Sequence, residues 1–187
     1  VYGERGRAVI EIKTDDVEKF YKMVNTYFMN AKNNGETLGL DYQDQEFGMS
    51  EIRNYHLKYE NHQHVFSFAL SYPAGMDIDQ ALQGIKNKTQ MDVEIVSHYL
   101  PVKFDKDCFM VKQMQKAYEK VTHLDGTPVT TTGGTYAKLM PNIVPFGPSF
   151  PGQKGIGHLP NEWMKIDDLI SNAKIYALAL YYLAKGE

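Results

Sequence analysis

The sequence predicts an α+β protein in two parts: a ferredoxin-like βαββαβ unit over residues 1–101 and a helix–strand–loop–helix segment over residues 102–187. Three observations lead there. Stretches alternating at period two are interleaved with stretches at helical spacing in the order strand, helix, strand, strand, helix, strand up to Tyr99. Pro101 and the charged run KFDKD at 103–107 then mark a boundary. Beyond it the pattern is an amphipathic helix, one short strand, a long Pro/Gly connector and a final helix.

Residues 7–13 read RAVIEIK, with Ala8, Ile10 and Ile12 on alternate positions, which is a half-buried strand. Thr14-Asp15-Asp16 supplies a helix N-cap and negative charge at the positive end of the helix dipole. Val17, Phe20, Tyr21, Val24, Tyr27 and Phe28 follow on one helical face, and Asn33-Asn34-Gly35 is expected to stop that helix. Residues 36–49 are polar and read as a loop or short irregular strand. Residues 51–60 and 65–72 are the next two strands, joined by a hairpin turn at Asn61-His62-Gln63. Phe66, Phe68, Leu70 and Tyr72 share one face of the second. Pro73-Ala74-Gly75 breaks it, and Ile78, Ala81, Leu82 and Ile85 mark a helix over 77–88. Residues 91–99 form the fourth strand. Both helices are expected on one face of an antiparallel sheet, leaving the other face open.

In the second part, Met110, Val111, Met114, Ala117, Tyr118 and Val121 define a helix. Residues 128–132 form a short strand leading into Gly133-Gly134. A lone strand cannot make a sheet, so this one needs a partner from missing residues or another chain. Residues 139–160, with five prolines and four glycines, read as a structured connector. The last helix, from Asp167 to about residue 185, is apolar over so wide an arc that it calls for cover on more than one side.

Composition excludes several classes. With 43% hydrophobic and 23% charged residues among 187, the chain is that of a folded protein, and 13 Tyr and 9 Phe are available for its core. The net charge of −3 comes without a basic block, so no nucleic-acid partner is expected. No apolar run reaches the roughly 18–20 residues that span a bilayer, so no membrane association is expected. The single cysteine, Cys108, cannot form an internal disulfide. It reads as a buried apolar residue rather than a reactive thiol, in a reducing cytoplasm. Val1 opens the chain inside a strand-like stretch, so residues upstream are expected.

The candidate functional residues are Gly133 and Gly134, in TGGTYAK, and His158, Asn161 and Glu162, in GHLPNEW. Glycines let a ligand approach backbone N–H groups, and an imidazole can hold a metal or a proton. His62 and His64 are spaced to share a strand face, where they could hold a metal or form a solvated turn pair.

With VPFGPSFPG and the final IDDLISNAKIYALALYYLA, these motifs resemble the C-terminal end of the dipeptidase V-type (Xaa-His dipeptidase) group of di-zinc metallopeptidases. Over residues 1–101 the resemblance rests on GETLGLDYQDQEFG and LSYP. It implies a catalytic domain with two zinc ions and a ferredoxin-like lid that closes over a dipeptide. His158 would be the last zinc ligand. Asn161 and Glu162 would orient it, and Gly133 and Gly134 would face the substrate carboxylate. The other ligands and the glutamate base would lie in an N-terminal half outside this chain, so the chain alone would be inactive. Ser71 stands where the family has an arginine, Thr132 where it has a glycine, and Lys138 where it has an arginine. No G-x-A-H stretch is present. The alternative is a non-catalytic relative that uses its open sheet face for a partner or for self-association.

Overall fold

The computed structural model of the chain describes residues 1–147, 150, 152 and 157–186. In chain order the elements are strands β1 (Gly3–Glu4) and β2 (Gly6–Thr14), helix α1 (Val17–Tyr27), and strands β3 (Gln43–Asp44), β4 (Gly48–Met49), β5 (Glu51–Glu60) and β6 (Gln63–Tyr72). Helix α2 (Ile78–Thr89), strands β7 (Asp92–Tyr99) and β8 (Val102–Lys103), helix α3 (Phe109–Thr122), strand β9 (Thr130–Thr131) and helix α4 (Ile166–Lys185) complete them. The α+β class read from the sequence is what forms. Two compact units result: a sheet unit, Gly3–Lys103 with Thr130–Asn142, and a helical unit, Val1–Tyr2 with Phe104–Val129 and Ile143–Glu187. Of the VPFGPSFPG motif, Pro148, Ser149 and Pro151 lie outside the described residues, as do residues 153–156 of the connector.

The sheet unit is built on a four-stranded antiparallel sheet in the order β5-β6-β2-β7. The period-two alternation sets its register. Ala8, Ile10 and Ile12 lie opposite Leu70, Phe68 and Phe66, and all six are almost wholly buried. A one-residue slip would expose the whole set, so this register is strongly specified. The β5–β6 turn places Asn61 and His62 at positive φ, the conformation that a two-residue hairpin of matching twist demands. Asp16 caps α1 by accepting from the Lys19 N–H at 3.0 Å, and Asp77 caps α2 through the N–H groups of Asp79 and Gln80. Phe20 and Met23 of α1 and Ile78 and Ile85 of α2 bury against the sheet's apolar face. Each such side chain contributes roughly 1.5–3 kcal/mol on burial.

Helix α1 ends at Tyr27, well before the expected Asn33-Asn34-Gly35 stop. Phe28 turns inward instead, its ring 4.3 Å from Phe66 and 5.4 Å from Phe68. Gly35, at φ +76°, starts the 3-10 turn Glu36–Leu38. The opposite face of the sheet is polar. Lys13 and Lys58 each bridge to the Glu11 carboxylate at 3.0 Å, and Lys13 also pairs with Glu94.

A second, three-stranded sheet in the order β8-β1-β9 carries the Gly-Gly turn. Strand β9 does not lack a partner: it pairs in parallel with β1 of this same chain, Gly3 opposite Thr130 and Glu4 opposite Thr131. The expectation that it needs strands from missing residues or another chain is corrected by that ladder.

In the helical unit, α3 packs on α4 through Met114, Ala117 and Ala179, flanked by Leu178, Tyr182 and Phe146. On α4, Asn172, Ile175 and Ala179 face inward, whereas Ile166, Leu169, Ile170, Leu180 and Tyr181 are exposed. The wide apolar arc is therefore covered on one side only among the described residues.

Candidate functional site

The Gly133-Gly134 turn follows β9 and is held from both ends. The Gly133 N–H donates to the Thr131 hydroxyl at 3.1 Å. The Thr135 N–H donates to Glu4 Oε2 at 3.1 Å, and the Thr135 hydroxyl accepts from the Ala137 N–H at 3.1 Å, capping the 3-10 turn Tyr136–Lys138. Glu4 is fully buried, and its Oε1 has no partner among the described residues. Neither glycine needs a left-handed backbone. Gly134 gives room instead: a Cβ there would stand 3.3 Å from Lys138 Nζ.

Lys138 turns back under the turn and donates to the Arg5 carbonyl. Burial holds its ammonium below the ordinary lysine range. The Glu4 carboxylate opposes that shift and the Arg7 guanidinium adds to it. Around these groups lies a cavity of about 590 Å3, lined by Arg7 and Tyr99 from the sheet and by Gly134, Thr135, Tyr136 and Lys138 from the turn. That volume suits a small molecule. Sequence reasoning found the glycines, noted Lys138 only as a departure from the family motif, and missed Arg7 and Tyr99. Their only local signal was that Arg7 occupies an outward position of β2, on the face opposite Ala8 and Ile10.

His158 is exposed in the helical unit, with φ +62°. Its N–H donates to Glu162 Oε2 at 3.1 Å, and the Glu162 N–H donates to the Leu159 carbonyl at 3.2 Å. Glu162 thus fastens the backbone turn that presents His158. Asn161, also exposed, takes φ +63°, which asparagine tolerates better than most residues. Gly133 and Gly134 belong to one unit, and His158, Asn161 and Glu162 to the other.

Four further histidines have other occupations. His64 stacks on Phe20 and Tyr59 at 5.3 and 4.8 Å, and His62 sits in the hairpin turn. His98 has its Nε2 2.5 Å from the buried Tyr72 hydroxyl. His123 caps the C-terminus of α3. Among the described residues no group of three or more His, Cys, Asp or Glu side chains converges on a point where a metal ion would sit. No helix of the described residues is long and apolar enough to cross a membrane.

Comparison with known proteins places these features. The chain is 27% identical over 176 residues to the Bacillus subtilis (strain 168) protein named "Putative dipeptidase YtjP", covering 94% of this chain and 38% of that one. It is 34% identical over 122 residues to the Beta-Ala-Xaa dipeptidase of Lactobacillus delbrueckii subsp. lactis, covering 62% of this chain and 25% of the relative. The chain therefore spans well under half the length of either. The crystal structure of human carnosine dipeptidase 1 superposes with a TM-score of 0.67 at 11% identity, over 99% of this chain and 56% of that one, a likeness of fold alone. The profile of Peptidase family M20/M25/M40 matches residues 4–182, and the chain belongs to that family.

Proposed function

We propose that this chain is the C-terminal portion of a dipeptide-hydrolysing metallopeptidase of the Xaa-His dipeptidase type. Residues 1–101 would supply the ferredoxin-like lid and residues 102–187 the end of the catalytic domain. The strand order β5-β6-β2-β7, with its two helices on one face, supports the lid assignment. Relatives named as dipeptidases support a dipeptide substrate. The structural observation that carries the reading is the cavity under the Gly133-Gly134 turn, where a backbone bend and two cationic side chains line one space.

Zinc takes about four donors at a structural site and about three protein donors at a catalytic one. The described residues offer no converging set, so this chain does not by itself fit a zinc ion. Its contribution is His158, with Glu162 fastening the turn that carries it and Asn161 shaping it. The remaining donors and the general base come from residues outside the chain. The exposed apolar face of α4 supports the same division, because a face so apolar calls for cover from a missing half or another chain. The lone Cys108 suits a reducing cytoplasm.

A second reading, a non-catalytic interaction module, is favoured by edge strand β5, which exposes Leu57 and Tyr59. Hydrolysis separates the two. The 187-residue chain should leave β-Ala-His and Ala-Ala intact, and a longer polypeptide carrying the upstream residues should cleave them only with zinc present. Failure of the longer, zinc-loaded polypeptide to cleave any dipeptide would discard the enzyme reading.

A further inference from the structure

We propose that Asn34 is a site of spontaneous covalent modification, where the chain converts its own asparagine into aspartate and isoaspartate. The proposal goes beyond the peptidase reading and uses none of the residues assigned to it.

Asparagine loses ammonia when the next backbone nitrogen attacks its side-chain carbonyl carbon, and a glycine leaves that nitrogen most accessible. Asn34 is the one asparagine in the sequence followed by glycine. The fold requires that glycine. Gly35 takes φ +76°, and a Cβ on it would stand 2.7 Å from Ile52 Cδ1 and 2.8 Å from Leu40 Cβ. The core that demands Gly35 therefore also fixes the reactive pair. Asn34 is half-buried, and its Oδ1 accepts from the Glu36 N–H at 3.3 Å. That bond aims a donor at the oxygen on which charge develops when Cγ is attacked. The amide nitrogen that departs, Nδ2, is held by no hydrogen bond among the described residues. The attacking nitrogen is restrained by one long bond, from the Gly35 N–H to the Lys32 carbonyl at 3.4 Å.

The one aspartate–glycine pair, Asp125-Gly126, is closed to the same ring. Its nucleophile, the Gly126 N–H, is committed to the Glu119 carboxylate at 3.2 Å. The Thr127 hydroxyl, and then the Thr127 N–H, hold the Asp125 carboxyl below the ordinary aspartate range, and an ionised carboxylate resists attack by a nucleophile.

In the reaction the Gly35 nitrogen bonds to Asn34 Cγ, and its proton leaves with the side-chain amide as ammonia. A five-membered succinimide results. Water then opens it. Addition at Cγ breaks the new bond and gives aspartate on an ordinary backbone. Addition at the main-chain carbonyl carbon breaks the old peptide bond and gives isoaspartate, whose chain runs through Cγ and is one carbon longer. Water is the only co-reactant. The main chain is anchored on both sides of this point. The Asn33 carbonyl accepts from the Ile52 N–H, and the Gly35 carbonyl accepts from the Leu38 and Leu40 N–H groups at 3.0 Å each. Leu38 and Leu40 are almost wholly buried. An extra carbon between these anchors releases one of them and loosens the loop from the core. Aspartate keeps the chain length and can still accept from the Glu36 N–H.

The test incubates the folded 187-residue chain beside a free peptide of residues 32–38 at neutral pH and body temperature. Peptide mass spectrometry maps the gain of about 1 Da that replaces amide by acid. Reaching the ring geometry breaks the Gly35 N–H bond and at most one further bond of the turn, each worth about tenfold. Asn34 should therefore convert before any other asparagine, and no more than about a hundredfold slower than in the peptide. An isoaspartyl methyltransferase should label residue 34 ahead of residue 125. Asn34→Gln, which would need a six-membered ring, should lose that label while keeping the wild-type circular dichroism. Asn34→Asp should keep the wild-type urea midpoint, and the separated isoaspartyl form should unfold at a lower one. Earlier conversion at another asparagine, a rate further below that of the peptide, label at residue 125 ahead of 34, or an isoaspartyl form as stable as Asn34→Asp overturns the proposal.

Discussion

The exposed face of α4 gives the most discriminating structural prediction. Leu169 and Leu180 keep 60% and 68% of their surface exposed. They are eleven residues apart, which places them on the same helical face about 16 Å from one another. Fully burying a leucine contributes roughly 1.5–3 kcal/mol. The uncovered share of each is therefore worth about 1–2 kcal/mol to whatever covers it. At that separation the two add, giving about 2–4 kcal/mol, or about 30- to 700-fold in an equilibrium. The double substitution Leu169→Gln, Leu180→Gln should leave the urea stability of the 187-residue chain within about 0.5 kcal/mol, as surface changes do. In a longer polypeptide that supplies the rest of a catalytic domain, the same pair should cost the full about 2–4 kcal/mol. Equal losses in both proteins would mean that the face is already internal to this chain. No loss in either would mean that nothing covers it. Both results refute the reasoning.

Further expectations concern the sheet unit. Phe68 is fully buried, with Phe28 and Phe66 rings beside it, so Phe68→Ala should destabilise the chain by about 3–5 kcal/mol in urea unfolding. Gly6→Ala would set a Cβ 2.3 Å from Cζ of the Tyr72 ring, an overpacking that should cost about 1–3 kcal/mol and break the Tyr72–His98 contact. Burial, with the Asp79 charge adding to it, pushes the Tyr72 hydroxyl up to about 12. Its folded value exceeds its unfolded one, so the stability it contributes is complete below about pH 10 and is lost as pH rises towards 12. Urea midpoints at pH 9 and pH 11 should show a fall that Tyr72→Phe reduces.

Where one face of an element is buried and its partner lies close in sequence, the fold was legible. The alternation at 7–13 and 65–72, the Asn61-His62 hairpin and the Asp16 cap all specify local geometry that the core then requires. The end of α1 was not legible. Phe28 leaves the helix to pack on Phe66 and Phe68, and Asn30 behind it takes a left-handed backbone. The two-residue strands β1 and β9 have no period to read, and their pairing joins Gly3–Glu4 to Thr130–Thr131, far apart in the sequence. The cavity depends on that pairing, because it brings the turn of residues 133–139 to Arg7 and Tyr99. For this reason the glycines and Lys138 could be singled out from their motif while Arg7 beside them could not. His158 was legible as a motif. Its presentation through the bond from its N–H to Glu162 required coordinates.

Zinc content and dipeptide hydrolysis, measured together in a longer polypeptide carrying this chain, test the central claim most directly when wild type is set against His158→Ala. The account predicts that the wild type binds zinc and cleaves Ala-Ala, and that the variant, folded by circular dichroism, loses bound zinc and about a hundredfold or more in rate. Full zinc occupancy and an unchanged rate in His158→Ala would contradict it.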